Sequence, residues 1–184
     1  MVRSYQGWLP FLAWKYGLPA MTMRPSSAWY TCCRGRRPTG ACCRSTSWTG
    51  WIRRGGARLW ERTLGEPAPR SGVVVADAGD RLAGFAHFCP SRDEDADPAR
   101  TGELSSIYLL PESWGRGVGR QLMTAALAGL AEAGYGQATL WVLDSNDRAR
   151  RFYRMAGWAV DGAVKQEEGP GFTLTEVRYR RPLP

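Results

Sequence analysis

ESWGRGVGRQLMTAAL, residues 112–127, places three glycines, Gly115, Gly117 and Gly119, within five positions and then runs directly into an apolar, alanine-rich stretch. Glycine weakens a helix more than any residue but proline, so glycines at a helix start need another explanation. Upstream, TGELSSIYLL (residues 101–110) reads as a strand that ends at Pro111. Downstream, Val118, Leu122, Ala125, Ala126, Gly129 and Leu130 recur at helical spacing until AGYG, residues 133–136, stops the run. A strand, a glycine-rich turn and a helix start together make an anion site. The first helical turn has free N–H groups and carries the positive end of the helix dipole. Glycines let the backbone approach a ligand closely and take angles closed to other residues. Arg116 and Arg120 add guanidinium groups suited to phosphate.

The kind of phosphate is not that of the commonest motifs. No G-x-x-x-x-G-K-[ST] occurs, and the dinucleotide pattern G-x-G-x-x-G fails in both registers, because its third glycine would fall on Arg120 or on Leu122. Taken alone, the cluster also fits a strand-to-helix turn that binds nothing.

Working outward, the chain is regular from about residue 70. SGVVVADAGDRLAGFAHFCP reads as a hairpin, with strands at Val73–Ala76 and Leu82–Phe88 around an Ala-Gly-Asp bend. RDEDADPAR, residues 92–100, is acidic and contains proline, which predicts a solvated loop. QATLWVL reads as a strand, SNDRARRFYRMAG as a second helix closed by Gly157, and WAVDGAVKQ and FTLTEVRYRR as a last pair of strands. The fold class expected is α/β, in one domain. Its length of 184 residues suits one sizeable core.

The net charge of +8 belongs to the N-terminus. Residues 1–63 hold eleven Lys and Arg against the single acid Glu61, which leaves residues 64–184 with fourteen basic and sixteen acidic side chains. Residues 24–57 show no sustained helical or strand period and gather Arg, Gly, Ser, Thr, Trp and four of the five cysteines. Cys32, Cys33, Cys42 and Cys43 stand in adjacent pairs rather than at the C-x2-4-C spacing of zinc sites, so no metal is expected. Basic residues among aromatics also fit a nucleic-acid arm, and the mixture is what a G+C-rich coding sequence yields in the wrong frame. Nucleic acid is not the expected partner, since the larger part of the chain is nearly neutral. No apolar run reaches the roughly 20 residues of a membrane span. The opening MVRSYQGWLPFLAWKYGL is broken by Arg3, Gln6, Pro10 and Lys15 and makes a poor signal peptide. A cytoplasmic protein without membrane contact is expected.

ELSSIYLLPESWGRGVGRQLM, followed by ATLWVLDSNDRARRFYRMAGW, resembles the acetyl-CoA-binding core of the GNAT N-acetyltransferase superfamily, whose signature is [RQ]-x-x-G-x-[GA] at a helix start. The resemblance covers roughly residues 70–181, so residues 64–184 are expected to form the acetyltransferase core and residues 1–63 to hold the first strand and the acceptor-side helices. Trp114 stands at the [RQ] position, a departure that removes one side-chain contact and leaves the backbone cradle.

The resemblance implies a mixed, mostly antiparallel central sheet flanked by helices, acetyl-CoA as acyl donor and a primary amine of a small molecule or protein as acceptor, with a homodimer left open. It places the backbone of Ile107, Tyr108 and Leu109 along the acetyl group and pantetheine arm. Gly115, Arg116, Gly117, Val118, Gly119 and Arg120 would wrap the pyrophosphate, and Asn146 would touch the pantetheine. Tyr153 matches the tyrosine that protonates the departing thiolate in many members. Glu103 stands fourteen residues before Gly117, like the general-base glutamate of histone-acetylating members; other members place a glutamate where this chain has Trp141.

Plainer roles stand beside these. Tyr153 shares a helix face with Ala149, Phe152 and Ala156 and fits core packing; Asn146 fits a helix cap; Glu103 fits a strand-edge carboxylate. His87, the only histidine, is an alternative proton acceptor. Cys89 is expected to be a buried thiol rather than a nucleophile. The competing function is a GNAT-like module that holds coenzyme A without turnover.

Overall fold

The computed structural model describes residues 2–5, 65–66, 68–78, 82–169 and 172–184. The four paired cysteines, and nearly all of residues 1–63 that the sequence marks as irregular, lie outside the described residues. The exception is β1, Val2–Tyr5, which pairs antiparallel with β2 from Val2 opposite Ala76 to Tyr5 opposite Val73.

Six further strands follow: β2 (Gly72–Asp77), β3 (Leu82–Pro90), β4 (Thr101–Leu109), β5 (Gln137–Leu143), β6 (Ala159–Gly169) and β7 (Phe172–Pro182). They form one seven-stranded sheet in the order β1-β2-β3-β4-β5-β7-β6. Each neighbouring pair is antiparallel except β4 with β5. A parallel pair needs a crossover, and α1 (Val118–Glu132) supplies it, entered through a short 3-10 turn at Pro111–Ser113. The second helix, α2 (Asp147–Met155), joins β5 to β6. The α/β class and the mixed, mostly antiparallel sheet agree with the sequence reading.

Both helices pack on one face of the sheet. Leu122, Met123, Ala126 and Leu130 of α1 and Tyr153 of α2 share a buried cluster with Val74, Ala86, Leu104, Ala138, Leu140, Val142 and Tyr179 of the strands. Gly129 makes the approach of α1 possible, since a Cβ there would sit 2.6 Å from Cζ of the Phe88 ring. The continuous run Val73-Val74-Val75 is buried throughout, as a strand covered on both faces requires.

On the other face, burial is shared by apolar and charged groups. Val73, Val75, Phe85 and Trp141 are buried there, together with Glu103 and Arg178. The segment at 92–100 is not wholly solvated, as its composition predicts. Glu94 and Asp95 are exposed, but Asp93 folds back and is only 8% exposed. Its carboxylate accepts hydrogen bonds from Trp141 Nε1 (2.9 Å), Lys165 Nζ (2.8 Å) and Arg178 Nη1 (3.2 Å). Arg178 also pairs with Asp95 at 2.6 Å and Asp161 at 2.7 Å. Burial alone would push the Asp93 carboxyl up, but the bonds from Lys165, Trp141 and Arg178 outweigh it and hold the group below the usual carboxylate range.

Candidate active site

The site arises where two strands part. β4 and β5 pair only at Thr101–Gln137, Gly102–Ala138 and Glu103–Thr139. Beyond Glu103 they diverge, and the facing backbone edges no longer serve each other. A cleft of about 670 Å³ occupies the opening, within the roughly 300–1,000 Å³ of small-molecule sites. Ile107, Tyr108 and Leu109 form one wall, Trp141 and Val142 the other, and the start of α1 closes one end.

The start of α1 is built as the sequence implies. Gly115 and Gly117 take φ of 73° and 81°, the left-handed region, where a side chain is strained even though open space surrounds both positions. Gly117 is the N-cap and offers no side-chain acceptor. The first helical hydrogen bond there is Gln121 N–H to the Gly117 carbonyl, at 3.1 Å. The N–H groups of Val118, Gly119 and Arg120 therefore precede the helical ladder and are available to an anion. Gly119 differs from its two companions: its backbone is ordinary, and a Cβ would meet Phe152 at 3.5 Å and Leu109 at 3.6 Å, normal contact distances. Arg120 borders the cleft, whereas Arg116 is exposed beside it and Val118 packs against the core.

Trp114 has its own work in place of the family contact. Its indole N–H donates to the Leu109 carbonyl at 3.2 Å and ties the turn to the end of β4. The Arg148 guanidinium lies 3.8 Å over its ring, a cation–π pair that brings a cation from α2 to the cleft. Nothing in the spacing of Arg148 marks it in the sequence.

Asn146 borders the cleft and caps α2, its Oδ1 accepting from Ala149 N–H at 3.1 Å. Tyr153 also lines the cleft, its ring 5.5 Å from Phe152 and 6.1 Å from Tyr179. Tyr153 thus packs in the core and also reaches the cleft. Burial pushes its hydroxyl pKa well up, so the group stays protonated at neutral pH. Tyr108 is pushed up likewise, by burial and then by Tyr153.

The proton acceptors expected from the sequence lie outside the cleft lining. Glu103 is 2% exposed, and Arg92 occupies both of its oxygens, with Nη2 at 2.5 Å from Oε1 and Nε at 3.0 Å from Oε2. The two-pronged pair makes Glu103 an anchor for the 91–100 segment. Sequence spacing could not show it, because the partner is eleven residues away in a loop read as solvated. His87 is held neutral: burial, then Arg92, lowers its pKa to about 4. Its Nδ1 lies 2.5 Å from Ser105 Oγ. Cys89 is half-buried, its thiol pushed up to about 12 by burial and then by Glu103. Trp141, where relatives of the resembled kind place a glutamate, donates to Asp93 and carries Lys165 Nζ 3.8 Å over its ring.

Ser106 escaped the sequence reading as a side chain. β3 and β4 slip in register between His87 and Phe88, His87 facing Ser106 while Phe88 faces Leu104, so Ser105 is bulged out between them.

Known proteins are similar to this chain in sequence and in fold. Residues 27–158 match the Acetyltransferase (GNAT) family. An uncharacterized N-acetyltransferase of Mycobacterium tuberculosis is 35% identical over 94 residues, which make up 51% of this chain and 56% of that protein. The mycothiol acetyltransferase of Propionibacterium freudenreichii is 34% identical over 92 residues, 50% of this chain and 28% of that one. The chain thus spans only part of the length of these curated relatives. In fold it is similar to yncA from Salmonella typhimurium, solved with its cofactor acetyl-CoA, with a TM-score of 0.56 at 22% identity over 72% of this chain and 74% of that one.

Proposed function

Because this chain belongs to the GNAT acetyltransferase family, we propose that it transfers an acetyl group from acetyl-CoA to a primary amine of a small molecule or protein, the amine attacking the thioester directly. The observation that carries the reading is the cleft between diverging β4 and β5, which ends at the uncapped start of α1. The residues present fit the donor: open N–H groups and Arg120 face the pyrophosphate, and the edge of β4 at Ile107 to Leu109, which β5 does not pair, receives the pantetheine arm.

In the reaction a C–N bond forms, the C–S bond breaks and the thiolate takes a proton. Tyr153, kept protonated by burial, is the donor of that proton. N–H groups on the edge of β4 that β5 does not pair face the developing oxyanion. With both oxygens of Glu103 on Arg92 and His87 lowered to about 4, the attacking amine enters in its neutral form and releases its proton to water.

Asn146 is assigned a double part, its oxygen on the helix and its amide nitrogen toward the pantetheine. The setting is cytoplasmic. Among the described residues no helix is long and apolar enough to cross a membrane.

Calorimetry with acetyl-CoA, followed by thiol release over a panel of primary amines, tests the reading. Saturable binding with amine-dependent thiol release is the expected result. Binding without release from any amine would make the chain a coenzyme A-holding module, and no binding would remove the reading altogether.

A further inference from the structure

We propose that the Ser106 hydroxyl is a side-chain donor to the thioester carbonyl oxygen, adding to the backbone N–H groups of β4; this rests on the acetyltransferase reading above. Ser106 is 3% exposed, and its Oγ is buried without a hydrogen-bond partner among the described residues. A buried hydroxyl left unmatched is costly and uncommon in a native fold, and such a group calls for a ligand or a function. Ser106 borders the cleft, between Leu104 and Tyr108 on the same strand and across from Trp141. It stands three residues beyond Glu103, the last β4 residue paired with β5, and so at the throat of the opening.

Ser105 provides an internal contrast. The same side chain one position earlier is fully engaged, its Oγ 2.5 Å from His87 Nδ1 and donating to the His87 carbonyl at 3.2 Å. The bulge at His87 and Phe88 separates the two roles. It gives Ser105 to β3 and leaves Ser106 to the cleft. A serine hydroxyl has one rotatable donor, which suits a carbonyl oxygen whose charge grows as the amine attacks. The bond strengthens in the transition state, so its benefit falls on kcat rather than on binding of coenzyme A.

The test compares wild type, Ser106→Ala, Ser106→Thr and Ser105→Ala for turnover, acetyl-CoA and coenzyme A affinity, and melting temperature. Ser106→Ala is expected to lower kcat by about 10–100-fold, below the 10²–10³ for loss of an oxyanion donor, because backbone donors remain. Its coenzyme A affinity should hold within about twofold and its melting temperature should stay level or rise, since no protein hydrogen bond is lost. Ser106→Thr, which keeps the hydroxyl in a strand-favouring residue, should recover most of kcat. Ser105→Ala should show the reverse pattern, a lower melting temperature with turnover nearly unchanged. Wild-type turnover in Ser106→Ala, or a loss of folding there with no selective loss of kcat in the folded fraction, would overturn the proposal. A wild type that neither binds acetyl-CoA nor turns it over would overturn it together with the acetyltransferase reading, whereas an active wild type with an unaffected Ser106→Ala overturns this inference alone.

Discussion

Two helices begin on the same cleft, and they begin differently. At α2 the chain satisfies itself: Asn146 accepts from Ala149 N–H, and Asp147 places a carboxylate in the first turn, where the helix dipole favours it. At α1 the N-cap is Gly117, no side chain caps the turn, and no acid stands within it. A helix end usually meets its unpaired N–H groups with a side chain or water. An end that withholds a cap while holding two glycines at positive φ is shaped for a partner from outside the chain. Under the proposed function, the closed start serves the fold and the open start is the one left for the ligand.

Closing the open start is the severest way to break this contrast. Gly117→Asp adds a side chain at φ 81° and a negative charge beside the expected pyrophosphate. Backbone strain and charge repulsion together should weaken acetyl-CoA binding by about 10³-fold. Calorimetry reads this directly, and unchanged affinity would remove the turn from the site.

The pH at which the two starts are compared matters next. His87 has a folded pKa of about 4 against 6.5 for an unperturbed histidine. Between these values the unfolded chain binds more protons, so the contribution is full above pH 6.5 and is lost as pH falls toward 4. The loss should approach about 3 kcal/mol at most, at 1.36 kcal/mol per pKa unit. Denaturant midpoints from pH 7 to 4.5 should fall in wild type and flatten in His87→Gln.

A third variant separates what α2 gives from its body rather than its end. Tyr153→Phe keeps the ring between Phe152 and Tyr179 and removes the hydroxyl. Turnover should fall by about 10²-fold, at the low end for general acid catalysis because coenzyme A thiolate is a fair leaving group. Affinity and melting temperature should hardly move. Full activity would take Tyr153 out of the mechanism.

The smallest effect belongs to the closed start. Asn146→Ala should cost about 1 kcal/mol of stability, the usual size of a lost N-cap, with acetyl-CoA affinity within about threefold of wild type. A large loss of affinity with little loss of stability would make Asn146 a ligand contact first and a cap second.

Most elements were legible because each carries a local signal. The Val73–Val75 run with its turn, the helical spacing from Val118 to Leu130 and the stop at Gly157 need only neighbours in the chain to be read. The strand at Val2–Tyr5 was harder, being short and meeting β2 some seventy residues away. The ion pair of Glu103 was hidden for a like reason: its charge partner lies in a loop whose composition signals solvent, and only folding brings Arg92 onto it. The distinction between Ser105 and Ser106 depends on a one-residue slip in register, which two adjacent serines cannot announce.

The sequence by itself therefore determined the succession of strands and helices from about residue 70 and the glycine-rich turn, because glycine's backbone freedom and hydrophobic period act over a few residues. The tertiary structure decided where β4 parts from β5, which carboxylates are spent on arginines, and which buried hydroxyl stays unmatched. Those outcomes depend on distance in space between residues far apart in the chain, and burial makes them energetically decisive by raising the cost of every unpaired polar group.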